Sequence, residues 1–209
     1  MSMAWITPVD VMPGDGTGWV DVDVSAYAPA GATGVILHLV NTTGFSKLAG
    51  FRKNGSTDYR YRGYSYSSHY WIIIGIDSNR IFELYREAGY NLYLTGYFSD
   101  ESVFLTNAVD KSPGTAGSYQ DVDISSDTGA DTAIGAFLEI SPVYDKQIGI
   151  RCNGSTDDFY YPTYGAVWLT IGVDAAEIFE AKTQDTGTKF WLTGYMKSGA
   201  TFLVNSTDI

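Results

Sequence analysis

The sequence predicts an all-β protein of two tandem, duplicated antiparallel β-sandwich domains, each of jelly-roll or immunoglobulin-like connectivity. Three observations predict it. Of 209 residues, 44% are hydrophobic, 15% aromatic and only 18% charged, with 23 Gly and 16 Tyr, which is ample core material of a kind suited to pleated surfaces joined by tight turns. Apolar residues recur with a period of two, the signature of half-buried strands, and no unit shows a helical period. The chain also repeats itself, and a repeat of this size indicates a duplicated domain.

The repeat is read from matched words in one order. In the first copy, PGDGTGWVDVDVS from Pro13 precedes FRKNGSTD, then WIIIGIDSNRIFELY from Trp71, NLYLTGYF from Asn91 and VFLTNAVD from Val103. In the second, PGTAGSYQDVDIS from Pro113 precedes IRCNGSTD, then WLTIGVDAAEIFEAK from Trp168, KFWLTGYM from Lys189 and TFLVNSTD from Thr201. The offsets are 100 for Asp21 to Asp121, 99 for Asn54 to Asn153, 97 for Trp71 to Trp168 and 98 for Gly96 to Gly194, so the copies differ by small loop changes. DKSPGTAG, rich in Gly, Pro and Ser, marks the junction and places the domains at 1–110 and 111–209.

Within a unit, Val20, Val22 and Val24 alternate with Asp21, Asp23 and Ser25, which puts the valines on one strand face and the carboxylates on the other. ATGVILHLVN, YWIIIGID, RIFELYRE, NLYLTGYF and SVFLTN read as further strands, giving roughly seven or eight per unit. Asp77–Asn79 and Ala88–Tyr90 are short enough to join hairpins. The RxNGSTD words read as type I′ hairpin tips, since Asn-Gly supplies two residues with positive φ. Trp71 and Trp168 occupy equivalent strand positions and read as core.

Charge and composition exclude several classes of function. A formal net charge of −11 repels phosphate backbones, so no nucleic-acid partner is expected. No apolar run reaches the ~20 residues of a membrane-spanning helix, and the opening residues lack a signal peptide's basic and apolar regions. Synthesis in the cytoplasm without membrane insertion is the expectation. Cys152 is the single cysteine and His38 and His69 the only histidines, so no disulfide, zinc site or cofactor is expected.

Four candidate sites are outweighed by plainer readings. The Asn-Gly-Ser strings, Asn41-Thr-Thr and Asn205-Ser-Thr match a glycosylation sequon, against a turn role. Asp21, Asp23, Asp121 and Asp123, with Asp58 or Asp157, offer oxygen ligands for calcium, against a solvated strand face. Asp77 with Glu83 and Asp174 with Glu180 form recurring acidic pairs without a cleft signature, against structural roles. His69 among serines has no counterpart in the second copy, and Cys152 has no neighbouring base in sequence. No catalytic residue is expected, and the chain reads as a non-enzyme.

The stretch DYRYRGYSYSSHYW from Asp58 has the Tyr, Arg and Ser content of a contact surface. It nominates Tyr59, Arg60, Tyr61, Arg62, Tyr64 and Tyr66 as partner-binding residues, with Tyr160, Tyr161 and Tyr164 in the second copy. The competing reading is an aromatic hairpin packed across its own sheet.

RKNGSTD, IGIDSNRIFELY and LYLTGYF, with the leading DVDVSAYAPAGATGVIL, resemble a recurring module in uncharacterised proteins encoded by tailed bacteriophages and related environmental genomes. The resemblance covers nearly the whole of both units and carries no site residues. It implies a component of a virus particle, on the head or tail surface, made in the host cytoplasm and released by lysis. The expectation is a non-enzymatic virion structural protein, such as a head-decoration protein, whose partners are itself and capsid or tail proteins. The alternative is a carbohydrate-binding module or adhesin that stacks surface glycans on Tyr59, Tyr61, Tyr64, Tyr66 and Trp71.

Overall fold

The computed structural model describes residues 3–14, 18–65 and 67–207. In the first sandwich one sheet runs β1 (Met3–Asp10), β8 (Tyr90–Phe98), β3 (Gly34–Asn41), β6 (His69–Gly75). The facing sheet runs β2 (Trp19–Asp23), β7 (Ile81–Arg86), β4 (Lys47–Lys53), β5 (Arg62–Tyr64). The first strand pairs antiparallel with the eighth, the second with the seventh, the third with the sixth and the fourth with the fifth. That nested pairing is the wrapping of a jelly roll, which decides between the two connectivities the sequence left open.

The second sandwich repeats it. One sheet runs β9 (Ser102–Asp110), β16 (Lys189–Met196), β11 (Gly135–Ser141), β14 (Val167–Gly172), and the other β10 (Gln120–Asp123), β15 (Ile178–Thr183), β12 (Lys146–Cys152), β13 (Tyr161–Thr163). A single helical turn, α1 (Ser125–Thr128), follows β10. Strand β9, read in sequence as the end of the first unit, is hydrogen-bonded to β16 and so completes the second sandwich, in the place that β1 takes in the first.

Period-two alternation builds both cores. Val22 and Val24 are buried while Asp21 and Asp23 face water. Across the gap Val35, Leu37, Leu39, Ile72, Leu92 and Leu94 meet Phe51, Phe82 and Leu84. Each such side chain contributes about 1.5–3 kcal/mol on burial. Ile124, Leu138, Ile140, Phe179, Phe190 and Leu192 do the same in the second sandwich.

The repeated Leu-Thr-Gly of β8 and β16 is a bulge. Ile36 pairs with Gly96 and Leu37 with Leu94, so Thr95 is the extra residue, and its hydroxyl donates to the Ile36 carbonyl at 3.0 Å. Thr193 repeats this on Phe137 at 3.1 Å. The following glycine lets the outer strand approach: a Cβ on Gly194 would stand 2.3 Å from the Val103 carbonyl oxygen.

The turns depart from expectation. Strands β6 and β7 lie in opposite sheets, as do β7 and β8, so Asp77–Asn79 and Ala88–Tyr90 carry the chain across the sandwich instead of closing hairpins. Asp77 makes the first crossing by accepting from the backbone N–H groups of Asn79 and Ile81 at 2.9 and 2.8 Å. At the RxNGSTD turn only Gly55 has positive φ, at 80°, and the Ser56 N–H donates to the Lys53 carbonyl at 3.0 Å. A type I′ turn needs positive φ at both central residues, so this turn is not of that type.

Candidate functional site

The word RxNGSTD is a clasp for the segment that follows each sandwich. Asn54 donates to Asp77 at 2.8 Å, tying the turn to the inter-sheet crossing. Ser56 Oγ and the Thr57 N–H both donate to the Asn107 side-chain oxygen, at 2.9 and 2.8 Å, and Asp58 accepts from the Ala108 N–H at 2.8 Å. In the second copy Ser155 and Thr156 hold Asn205 at 2.9 and 2.8 Å, and Asp157 accepts from the Ser206 N–H at 2.6 Å. These bonds use the sequon asparagines and Asp58 and Asp157 structurally. Asn41 is likewise buried and donates to the carbonyls of Phe45, Tyr64 and Ser65.

Next to the clasp, Phe104 fills a slot made by two glycines. A Cβ on Gly34 would lie 2.2 Å from the Phe104 ring, and one on Gly75 2.5 Å from its Cβ. Lys53 Nζ donates to the Phe104 carbonyl at 2.8 Å, and burial pushes the ammonium pKa down, against the pull of Asp77. Phe202 occupies the matching Gly135–Gly172 slot, with the Cys152 thiol 3.4 Å from the Leu203 carbonyl oxygen. Burial pushes that thiol's pKa up, away from reactivity.

Strand β9 is therefore clasped by the first sandwich while hydrogen-bonded into the second, and the seam between them forms around it. Phe104 stacks on Phe137 at 4.7 Å, and Phe98 meets both rings at 5.6 and 5.0 Å. Arg60, 10% exposed, pairs with Glu139, 5% exposed, at 3.0 Å, reaches Asp58 at 2.8 Å and lies over the Trp191 ring at 4.8 Å. Burial pushes the Glu139 carboxyl pKa up, and the Arg60 guanidinium opposes it. Trp168, 9% exposed, meets Phe51 edge-on at 6.5 Å.

The nominated contact residues thus divide. Arg60 and Tyr64 face inward: Arg60 belongs to the seam, and Tyr64, 1% exposed, is wedged between Tyr70 and Tyr90 in the core. Neither is a free contact surface: the second sandwich covers Arg60, and the tyrosines of its own sandwich enclose Tyr64. Tyr61 stacks on Tyr85 at 4.6 Å, and Arg62 is part-buried, donating to the Tyr61 carbonyl at 3.0 Å. Tyr59 stands exposed beside Trp19 and Tyr61. In the second copy Tyr160 lies under Lys182 at 4.2 Å, while Tyr161 and Tyr164 are exposed, Tyr164 edge-on to Tyr144 at 5.5 Å. Tyr66 lies outside the described residues.

The acidic pairs are occupied by turns and ion pairs. Asp77 and Asp174 cap their crossings, and the backbone donors hold both carboxyls below the usual range although burial opposes them, most at Asp77. Glu83 and Glu180 each receive both arms of an arginine, Arg52 and Arg151, at 2.8–3.0 Å. Among the described residues no group of three or more His, Cys, Asp or Glu stands close enough to hold a metal ion.

Sequence reasoning missed one surface. By register Asp10, Tyr93, His38 and Trp71 form a row across the outer face of the β1–β8–β3–β6 sheet, equivalent to Asp110, Trp191, Glu139 and Trp168 in the second sandwich. The second row is the buried seam, whereas the first faces outward: Trp71 is 51% exposed, and its expected core role is corrected. His38 stacks on Trp71 at 4.6 Å, and its Nε2 is 2.8 Å from His69 Nδ1. Burial and the neighbouring His69 both lower the His38 pKa. Trp5, 63% exposed, lies beside Gly96 and Ile36 on the same face. A histidine at an outward position of ATGVILHLVN was the available signal.

No protein-family model matches the chain, and no curated protein or solved structure matches it.

Proposed function

We propose that this chain is a non-enzymatic structural protein of a virus particle, a head-decoration or related surface component that assembles through the faces of its sandwiches. One observation carries the assembly part. The outer face bearing Trp5, His38, Trp71 and Tyr93 is open in the first sandwich, and its counterpart in the second is already used as a protein seam. Exposed aromatic area of this kind marks contact surfaces. The particle context comes from the sequence resemblance to bacteriophage modules, since a jelly roll hosts many unrelated functions.

Two measurements test the reading. Sedimentation velocity over a wide concentration range reports self-association, and co-sedimentation with purified particles lacking the protein reports docking. Failure of both would overturn it.

A second reading is favoured by Trp71 itself. An exposed indole stacked on His38, whose ring also meets His69 and Tyr93, is a flat platform for the apolar face of a sugar ring. Saturable quenching of tryptophan fluorescence by a cell-surface polysaccharide, lost in Trp71→Ala, would support it. No response across a broad glycan panel would reject it.

A further inference from the structure

Three segments of this chain are versions of one strand. Register on the bulged partner equates Trp5 of β1 with Phe104 of β9, because each lies opposite the glycine of Leu-Thr-Gly, Gly96 or Gly194. The clasp and the glycine slot equate Phe104 and Asn107 with Phe202 and Asn205. Strand β9 therefore does two jobs: it closes the sandwich before it and begins the sandwich after it. Strand β1 does only the second, and residues 201–207 do only the first.

The side chains of residues 201–207 show the second job left open in this structure. Leu105, one residue past Phe104, packs into the core of the second sandwich, and Ile6 at the matching position of β1 packs into the core of the first. Leu203 is their equivalent and is 65% exposed. Among the described residues, 201–207 belong to no sheet. Leu203 is thus left exposed on a segment that is held at both Phe202 and Asn205 and paired to no sheet in this structure.

The surfaces on either side match as the existing seam does. Phe159 is the counterpart of Arg60: the carbonyl oxygen of Arg60 would meet a Cβ on Gly50, as that of Phe159 would meet one on Gly149. Where the seam sets Arg60 against Glu139, a seam between copies would set Phe159 against His38. A buried cation with its carboxylate is thus exchanged, on both sides together, for an aromatic ring with an imidazole. Ile150 stands where Phe51 does, and in a seam between copies it would face Trp71 as Phe51 faces Trp168. Unpaired charge would penalise either mixed combination.

We infer that copies of this chain join head to tail by strand exchange, residues 201–207 of one copy replacing β1 on β8 of the next and seating the end of its second sandwich on the Trp71 face. The inference rests on the self-assembly reading above and names its partner and contact. Replacement is required because Phe202 and Trp5 both claim the place that Phe104 alone fills inside the chain. The contact is heterologous, so it repeats without closing unless the rotation makes a ring.

The test uses the full chain in sedimentation velocity, with Cys152→Ser throughout. Apparent mass should rise with concentration, and slowly after mixing, because β1 must leave first. Leu203→Glu leaves an exposed side chain exposed in the single copy but would place a carboxylate in the next copy's core, so association should weaken by more than about tenfold. Val204→Glu is the control: its equivalent Thr106 is exposed within β9, so association should persist. Joining β1 to β8 with Ala4→Cys and Tyr97→Cys, which lie opposite in register, should hold the chain as single copies until reductant is added. A single-copy mass at every concentration overturns the inference, while the particle-surface reading then stands or falls on particle co-sedimentation. Association that ignores both Leu203→Glu and the oxidised pair overturns the exchange and leaves self-assembly intact.

Discussion

Arg60 of the first sandwich closes on Glu139 of the second at 3.0 Å, and both are almost wholly removed from water. Removing one partner of a buried pair strands the other charge. Arg60→Ala should therefore destabilise the protein by about 3–5 kcal/mol. Glu139→Gln should cost less, because Arg60 keeps Asp58. The Glu139 carboxyl already titrates above its usual range, so below that folded pKa it is protonated and needs no cation. The deficit of Arg60→Ala should shrink as pH falls from 7 towards 4, and urea midpoints at the two pH values would check it.

The glycine slot under Phe104 predicts a size rule. Gly34→Ala places a methyl 2.2 Å from the ring, and overpacking of this kind costs about 1–3 kcal/mol. Phe104→Ala empties the slot and costs about 3–5 kcal/mol. Gly34→Ala combined with Phe104→Leu should be more stable than the sum of the single changes implies. A double-mutant cycle by chemical denaturation measures the difference.

Asn107 and Asn205 make the same hydrogen bonds in different settings. Asn107→Ala removes three acceptor contacts at the seam and should cost about 1–2 kcal/mol. Asn205→Ala frees only residues 201–207, so global stability should change less while hydrogen exchange near Ser206 accelerates. Equal losses in denaturant midpoint would contradict this difference.

His38 supplies a pH dependence. Its folded pKa lies below the ordinary value through burial and His69, with Trp71 and Tyr93 as its other neighbours and Asp10 beyond Tyr93. Such a group contributes stability that is complete above the unfolded pKa and is lost as pH falls through the folded one. Protonating both rings of the pair would place two cations at 2.8 Å. Denaturant midpoints should fall on going from pH 8 to 5, and His38→Leu should flatten the fall.

The strands, the duplication and the two cores were legible because alternation such as Val20, Val22, Val24 reports a sheet face directly. Connectivity was not, since a short link such as the one through Asp77–Asn79 joins neighbouring strands or crosses a sandwich equally well. Trp71 and Trp168 show the deeper limit. Both occupy the same register position, and only the presence of another sandwich over one of them decides which is buried. Arg60 was read as surface for the same reason, since the second sandwich covers it, whereas Tyr64 turns inward between Tyr70 and Tyr90 of its own sandwich.

The double attachment of β9 sets an order of events as the chain is made. The first jelly roll has all its strands once Phe98 emerges, and its clasp then captures Phe104 and Asn107. The leading strand of the second roll is thereby held in place long before its partner β16, some eighty residues later, has been synthesised. The finished half acts as a scaffold for the unfinished one, so the longest-range pairing in the second sheet closes onto a strand that is already fixed and loses less chain entropy in doing so.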